Sequence, residues 1–397
     1  MINTEESSII HSFQKSSAIG LYLHIPFCKG KCRYCDFYSV NCDQDLINNY
    51  LKHLKKEIKK YSLAWNTSPE GNRVKLDSIY FGGGTPGLLE TEQIQDIMNF
   101  IIEELSYPLS GEITIEANPS SLCEEKIIAF KKVGITRLSL GVQSFSDKEL
   151  SFLGRRHSAA QSLEIIDLLE RHFDNYNMDL IFAIPGQTLK DWKLTLEKAI
   201  SLGPEHISLY NLQIEEGTPL AKALENDEFH EVDDALDAEM YILAREMLIS
   251  HGYQHYEISN FAQKGFQSFH NKIYWKLRPY LGLGPSAHSF TGNERYSNYS
   301  DILRYINELK DDKLPIDKRL LLQKEDLMAE YMFMGLRLLE GVSLSDFSEK
   351  FKIDLKSYYK DEIEKLNSMG LIEINNRLKL TEKGILHGNS VFLEFLP

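Results

Sequence analysis

Six short apolar runs alternate with amphipathic stretches between Gly20 and about Ile214, and few folds accept that pattern. The strand-like runs cover residues 21–25, 76–81, 112–116, 137–142, 178–184 and 206–212, each rich in β-branched or aromatic side chains. Helical periodicity fills the gaps, at 45–63, 91–104, 124–133, 159–172 and 189–202. Repeated strand–helix units make successive strands parallel and bury the sheet between layers. Six repeats suit an α/β fold built on an open, partial (β/α)6 barrel better than a closed eight-stranded one. A doubly wound sheet is the fallback.

Several of these strands run out into chemistry rather than plain turns. Cys28 follows the first, Gly82-Gly83-Gly84-Thr85-Pro86 the second, Glu116-Ala117-Asn118-Pro119 the third and Gln143-Ser144 the fourth, while Asp179 lies in the fifth. Barrel sites form at the C-terminal ends of strands, so these residues are expected to meet at one mouth. After residue 212 the pattern changes. A helix at 233–250 precedes a segment dense in aromatic residues, glycine and histidine at 269–299. Helical stretches and a hairpin at 371–380 then suggest a mostly helical, winged-helix-like domain. The expected divisions are a disordered tail at 1–19, a core barrel at 20–250, a linking segment at 251–320 and the C-terminal domain at 321–397.

Composition narrows the function. Hydrophobic content of 43% supports a sizeable core, and the formal net charge of −14 disfavours nucleic acid, whose phosphates need a basic surface. The segment from Gln323 to Pro397 also carries more acidic than basic residues, which argues against DNA binding by the appended domain. Residues 1–17 are polar and lack the apolar core of a secretory signal, and no apolar run approaches a membrane span. A reducing cytoplasm is the expected location.

Five cysteines occur, three of them as Cys28-Lys29-Gly30-Lys31-Cys32-Arg33-Tyr34-Cys35, a C-x3-C-x2-C run just after the first strand. Thiolates are the ligands of iron–sulfur clusters. Three ligands on a four-iron cubane leave one iron open for a small chelating molecule. A disulfide framework is disfavoured by the low cysteine count. Structural zinc prefers two separated ligand pairs, and no second C-x2-C exists; a three-cysteine zinc site completed by His24 is the remaining alternative. Cys42 and Cys123 are expected to be ordinary buried or partly buried thiols.

An open iron needs a bidentate partner such as an amino-acid head group. Gly82-Gly83-Gly84-Thr85 offers bare backbone for close approach, although a glycine run also serves any tight turn. It lacks the G-x-G-x-x-G spacing of a dinucleotide site. Glu116 and Asp179 can accept hydrogen bonds from hydroxyls or an ammonium group, and Arg155 can fork onto a carboxylate; solvated strand ends and a surface ion pair are the plainer readings.

The cysteine run with Tyr34 before its last cysteine, followed by the glycine-rich turn, resembles the radical S-adenosylmethionine superfamily. Within it the chain is most similar to the group that holds oxygen-independent coproporphyrinogen III oxidase and the HemW heme chaperones. The resemblance rests on Leu23-His24-Ile25-Pro26-Phe27-Cys28, Phe81-Gly82-Gly83-Gly84-Thr85-Pro86, Glu116-Ala117-Asn118-Pro119, Gly141-Val142-Gln143-Ser144-Phe145, Leu153-Gly154-Arg155 and Asp179-Leu180. It implies a [4Fe-4S] cluster on Cys28, Cys32 and Cys35, with S-adenosylmethionine contacts at Tyr22, Tyr34, Gly83, Gly84, Thr85, Glu116, Gln143, Arg155 and Asp179. It also implies an electron donor as a partner.

Two features separate oxidase from chaperone. The oxidase pattern adds a cysteine two places after the third, where this chain has Phe37, and it carries a longer N-terminal extension. Both departures disfavour porphyrinogen decarboxylation. His270-Asn271-Lys272-Ile273-Tyr274-Trp275 resembles the H-N-x-x-Y-W motif linked to heme in the chaperones, and the segment from Lys383 to Phe392 resembles their C-terminus. A neutral imidazole is a good axial ligand for heme iron, which makes His270 the first candidate and His288 the second. The expected function is binding of heme and its transfer to an acceptor protein, with porphyrinogen oxidation as the alternative.

Overall fold

A computed structural model describes residues 10, 12–13, 18–66, 74–105 and 111–397. Strand β1 (Ile19–Ile25) opens the main sheet and is followed by a short parallel pair, β2 (Phe27–Cys28) and β3 (Val40–Asn41). Then come β4 (Leu76–Gly83), β5 (Glu112–Ala117), β6 (Arg137–Gln143), β7 (Tyr176–Phe182) and β8 (His206–Asn211). The order β1-β4-β5-β6-β7-β8 is parallel throughout, and its crossovers are the helices Gln44–Asn66, Thr91–Leu105, Glu124–Val133, Ala159–His172 and Leu189–Ser201. Local signals set these helices. Ser158 with Gln161 and Thr188 with Asp191 form reciprocal capping boxes, and Gly134 ends the third crossover helix in the left-handed region.

The six-unit partial barrel expected from the repeat is thus the core of the fold. Its two faces differ, however. In β6, Leu138, Leu140 and Val142 pack under the helices, while Arg137, Ser139, Gly141 and Gln143 alternate with them on the lumen side. The sheet is buried on both sides, but only one side is apolar.

Both edges are extended. β9 (Gln254–Glu257) and β10 (Asn260–Ala262) add antiparallel strands beside β8. On the other edge β11 (Tyr280–Leu283) pairs parallel with β1, and β12 (His288–Phe290), β13 (Glu294–Asn298) and β14 (Ile316–Leu321) continue antiparallel. The segment after residue 251 is therefore part of the main sheet. The helix Phe269–Trp275 plugs the barrel at the N-terminal ends of its strands. Glu112, at the start of β5, caps that helix by accepting from the backbone N–H groups of Phe269 and His270 at 2.9 Å each.

A second hydrophobic core runs from Met328 to Phe395, where helices surround a three-stranded sheet of β15 (Val342–Ser343), β16 (Ile372–Ile374) and β17 (Arg377–Leu380). It docks on the barrel through backbone bonds from Ile258 to Arg337 and from Leu339 to Tyr256. Most of the expected tail at 1–19 lies outside the described residues. Ile10 and Phe13 within it are fully buried, and Trp65 donates its indole N–H to the Ile10 carbonyl at 3.1 Å, so that part is packed.

One buried carboxylate ties the extension to the barrel. Glu57, from the helix Gln44–Asn66, accepts from Gly284 N (2.9 Å), Tyr305 OH (2.6 Å) and Asn298 Nδ2 (2.7 Å). Burial pushes its pKa up to about 7, only partly offset by those donors. A carboxyl with a raised pKa in the folded state costs nothing below its ordinary pKa and costs fully above the folded one. Stability of the wild type is therefore expected to fall between about pH 4.5 and 7 by about 3 kcal/mol relative to Glu57→Gln. Urea unfolding of both proteins across that range checks this; parallel pH profiles would refute it.

Candidate functional site

Site construction begins where β1 ends. Pro26 turns the chain, β2 carries Cys28, and the following loop brings Cys32 and Cys35 back over the barrel mouth. All three thiols are half-buried, whereas Cys42 and Cys123 are exposed, contrary to the expectation that these two are buried or partly buried. The loop is held from below by the glycine turn after β4: Gly84 N donates to Ile25 O (2.9 Å) and Thr85 N to Phe27 O (2.8 Å). A Cβ on Gly84 would lie 2.7 Å from Phe27 O, and one on Gly83 the same distance from the His24 ring. Gly83 also has a φ of +109°, so glycine is needed there on two counts. Thr85 Oγ1 stands 3.5 Å from Cys28 Sγ and accepts from Asn118 Nδ2 at 2.9 Å.

Arg155 crosses the mouth from the far side. It donates to Cys32 Sγ (3.5 Å), Tyr34 OH (3.3 Å), Gly141 O (2.8 Å) and Asn118 Oδ1. Burial pushes the Cys35 thiol up to about 11, and the neighbouring Cys32 and Cys28 reinforce that, so metal binding here must displace a proton. Zinc would need its ligands within about 2.3 Å of one point. Among the described residues no three His, Cys, Asp or Glu side chains stand close enough to hold a single ion. Both ring nitrogens of His24 are also engaged, by Tyr22 OH (3.2 Å) and Tyr38 O (3.0 Å). Three half-buried thiols bordering one cavity supply the ligand type that iron–sulfur clusters take, each cysteine on a different corner.

Deeper in the lumen lie two carboxylates. Glu116 accepts from Tyr80 OH at 2.7 Å and from Gly83 N at 3.2 Å. Its pKa is pushed up to about 7, mainly by burial and further by Asp179. Asp179 accepts from Asn177 Nδ2 (2.7 Å) and Ser139 Oγ (3.2 Å), and burial raises its pKa as well. Gln143 closes β6 at a bulge against β7 with φ +67°, a strained conformation for a side chain larger than glycine.

The three cysteines, Tyr34, Gly83, Gly84, Thr85, Glu116, Gln143, Arg155 and Asp179 all border one cavity of about 490 Å³. Tyr22 and His270 do not. Tyr22 stacks on Tyr80 and lines a second cavity of about 510 Å³ beyond β1. His270 departs furthest from expectation. It is fully buried in the barrel plug, its Nδ1 bonded to Ser78 Oγ and its Nε2 to Tyr274 OH, both at 2.8 Å. With both nitrogens spent inside the fold it presents no ligand to an iron, and desolvation pushes its pKa down to about 3. His270→Ala is accordingly expected to cost about 3 kcal/mol of stability, because it leaves a void and two unpaired hydroxyls. Thermal unfolding measures the loss, and the axial-ligand spectrum of bound hemin should stay unchanged.

Sequence reasoning missed Ser139, Asn177, Ser208 and Tyr210, which also line the 490 Å³ cavity, whereas Asn118, in the turn after β5, meets the mouth as expected. Their signal was present: within β6, β7 and β8 they alternate with buried apolar residues, as lumen-facing positions must.

Comparison with known proteins agrees with this geometry. Residues 22–199 match the model of the radical SAM superfamily, and residues 322–387 that of the HemN C-terminal domain. The chain is 34% identical to the heme chaperone HemW of Lactococcus lactis subsp. lactis (strain IL1403), covering 94% of this chain and 96% of that protein. It is 36% identical to the heme chaperone HemW of Bacillus subtilis (strain 168), over 94% and 98% of the two chains. Among solved structures, coproporphyrinogen III oxidase (HemN) from Escherichia coli, a radical SAM enzyme, matches with a TM-score of 0.85 at 20% identity, over 99% of this chain and 93% of that one; this likeness speaks for the fold. The chain belongs to the radical S-adenosylmethionine superfamily and, within it, to the HemW heme chaperone family.

Proposed function

We propose that this protein is a heme chaperone that carries a [4Fe-4S] cluster and S-adenosylmethionine, binds heme and passes it to an acceptor protein. Cys28, Cys32 and Cys35 would hold three irons. Gly83 and Gly84 would let S-adenosylmethionine approach the backbone, Arg155 would pair its carboxylate, and Glu116 and Asp179 would accept from its ribose hydroxyls or ammonium group. A cluster held by Cys28, Cys32 and Cys35 would supply one-electron chemistry beside the bound S-adenosylmethionine, so an electron donor belongs among the partners. A reducing cytoplasm is the compartment that suits exposed Cys42 and Cys123 together with a thiol-bound cluster. Among the described residues no helix is long and apolar enough to cross a membrane.

The observation that carries this reading is the pair of adjoining cavities. One bears the three thiols together with Glu116, Arg155 and Asp179; the other is walled by aromatic residues that include Tyr274 and Trp275. Anaerobic purification with iron and sulfide analysis, followed by hemin titration, tests it. Expected are iron, acid-labile sulfide and saturable hemin binding, with the hemin released to apomyoglobin as a generic acceptor. The rival reading, a porphyrinogen oxidase, is disfavoured by Phe37 at the place of the fourth cysteine. Anaerobic conversion of coproporphyrinogen III to protoporphyrinogen would establish that rival.

A further inference from the structure

The second cavity lies beyond β1, on the continuation of the sheet through β11 and β12. It is separated from the thiol cavity by the cysteine loop itself, because Asp36 and Phe37 border both. At about 510 Å³ it falls within the ~300–1,000 Å³ typical of small-molecule sites. Its walls are flat and aromatic, with Tyr38, Tyr274, Trp275, Tyr280 and Phe290 among them. Phe37 is 64% exposed at its rim, an apolar ring without cover in the isolated chain.

Two histidines border this cavity, and they differ. His24 has both ring nitrogens engaged. His288 is exposed, and no hydrogen bond to either of its ring nitrogens is found among the described residues. Its backbone is nevertheless fixed. β12 pairs His288 with Ser297 of β13, Asn298 N donates to Ala287 O at 2.9 Å, and Ser286 N donates to Tyr299 O at 3.0 Å. The buried Glu57 holds the same loop through Gly284 N and Asn298 Nδ2. A rigid loop thus presents a free imidazole to an aromatic cavity, the arrangement a planar metallomacrocycle requires.

We propose that this cavity is the heme seat and that His288 is the axial ligand of the heme iron. The assignment rests on the heme-chaperone reading above and adds the site and the ligand to it. Partial desolvation of the ring at the cavity wall and the nearby Arg295 and Lys318 lower the His288 pKa, which favours the neutral imidazole that can ligate. Because Phe37 belongs to both walls, heme in this seat would touch the same loop that carries the cysteines.

Hemin is titrated into the anaerobically reconstituted wild type and His288→Ala, with Soret absorbance and low-temperature EPR as readouts. His288→Ala should bind hemin at least tenfold more weakly and lose the wild-type axial signature. Added imidazole should restore that signature, a rescue that mere misfolding would not allow. Unchanged affinity and spectrum in His288→Ala, with normal binding by the wild type, would overturn this site while leaving the chaperone reading standing. Failure of the wild type itself to bind hemin would overturn the chaperone reading and this site with it.

Discussion

Cys32→Ser is expected to lose nearly all iron and acid-labile sulfide after anaerobic reconstitution, while hemin still binds. Cys32 is the middle thiol of the loop and the one that meets Arg155, at 3.5 Å from Nη1. A serine hydroxyl is a poor ligand for iron, since it stays protonated where a thiol has ionised. With two thiols left, a cubane has two open corners and is released or degraded. The hemin cavity shares Asp36 and Phe37 with this loop but no cysteine, so its affinity should change by only a few-fold. Metal analysis paired with hemin titration reads both sites in one preparation. Wild-type iron content in the variant would remove the basis for a three-thiol cluster; zinc in place of iron in the wild type would do the same.

Gly84→Ala is expected to do comparable damage without touching a ligand. The added methyl would meet backbone atoms on three sides, Phe27 O at 2.7 Å and both Ile25 O and Phe27 N at 2.9 Å. Backbone cannot rotate aside as a side-chain tip can. The cysteine loop must move off the glycine turn, breaking the bonds from Gly84 N and Thr85 N that seat it. Overpacking of this kind costs about 1–3 kcal/mol. Cluster occupancy after reconstitution should fall more than stability does, because three thiols must keep register within a fraction of an ångström. Denaturant unfolding and iron content together check this, and full occupancy with an unchanged midpoint would show that the turn does not position the loop.

Much of the barrel was legible because strand and helix periodicities are local properties. The six parallel strands begin and end within about two residues of their expected places, and the capping boxes at Ser158 and Thr188 mark helix starts in the sequence itself. The thiol run and the glycine turn were legible for a related reason, since each is contiguous. Lumen residues such as Ser208 and Tyr210 were harder to find, because a polar residue in a strand reads the same whether it faces a cavity or water. The segment from 251 to 320 was read as a linker, yet β11 hydrogen-bonds to β1, some 260 residues earlier in the chain; no local pattern encodes that pairing.

His270 and His288 show where the division falls. Sequence by itself determined that a parallel six-strand barrel would carry three cysteines at its mouth, because periodicity and spacing act over short stretches of chain. Which histidine keeps a free nitrogen was decided only in three dimensions. Ser78 and Tyr274 consume both nitrogens of His270 in the plug, whereas the β12–β13 pairing holds His288 at the surface of a cavity. Hydrogen bonds between residues distant in sequence decide whether an imidazole can serve as a ligand, and those bonds exist only once the chain has closed on itself.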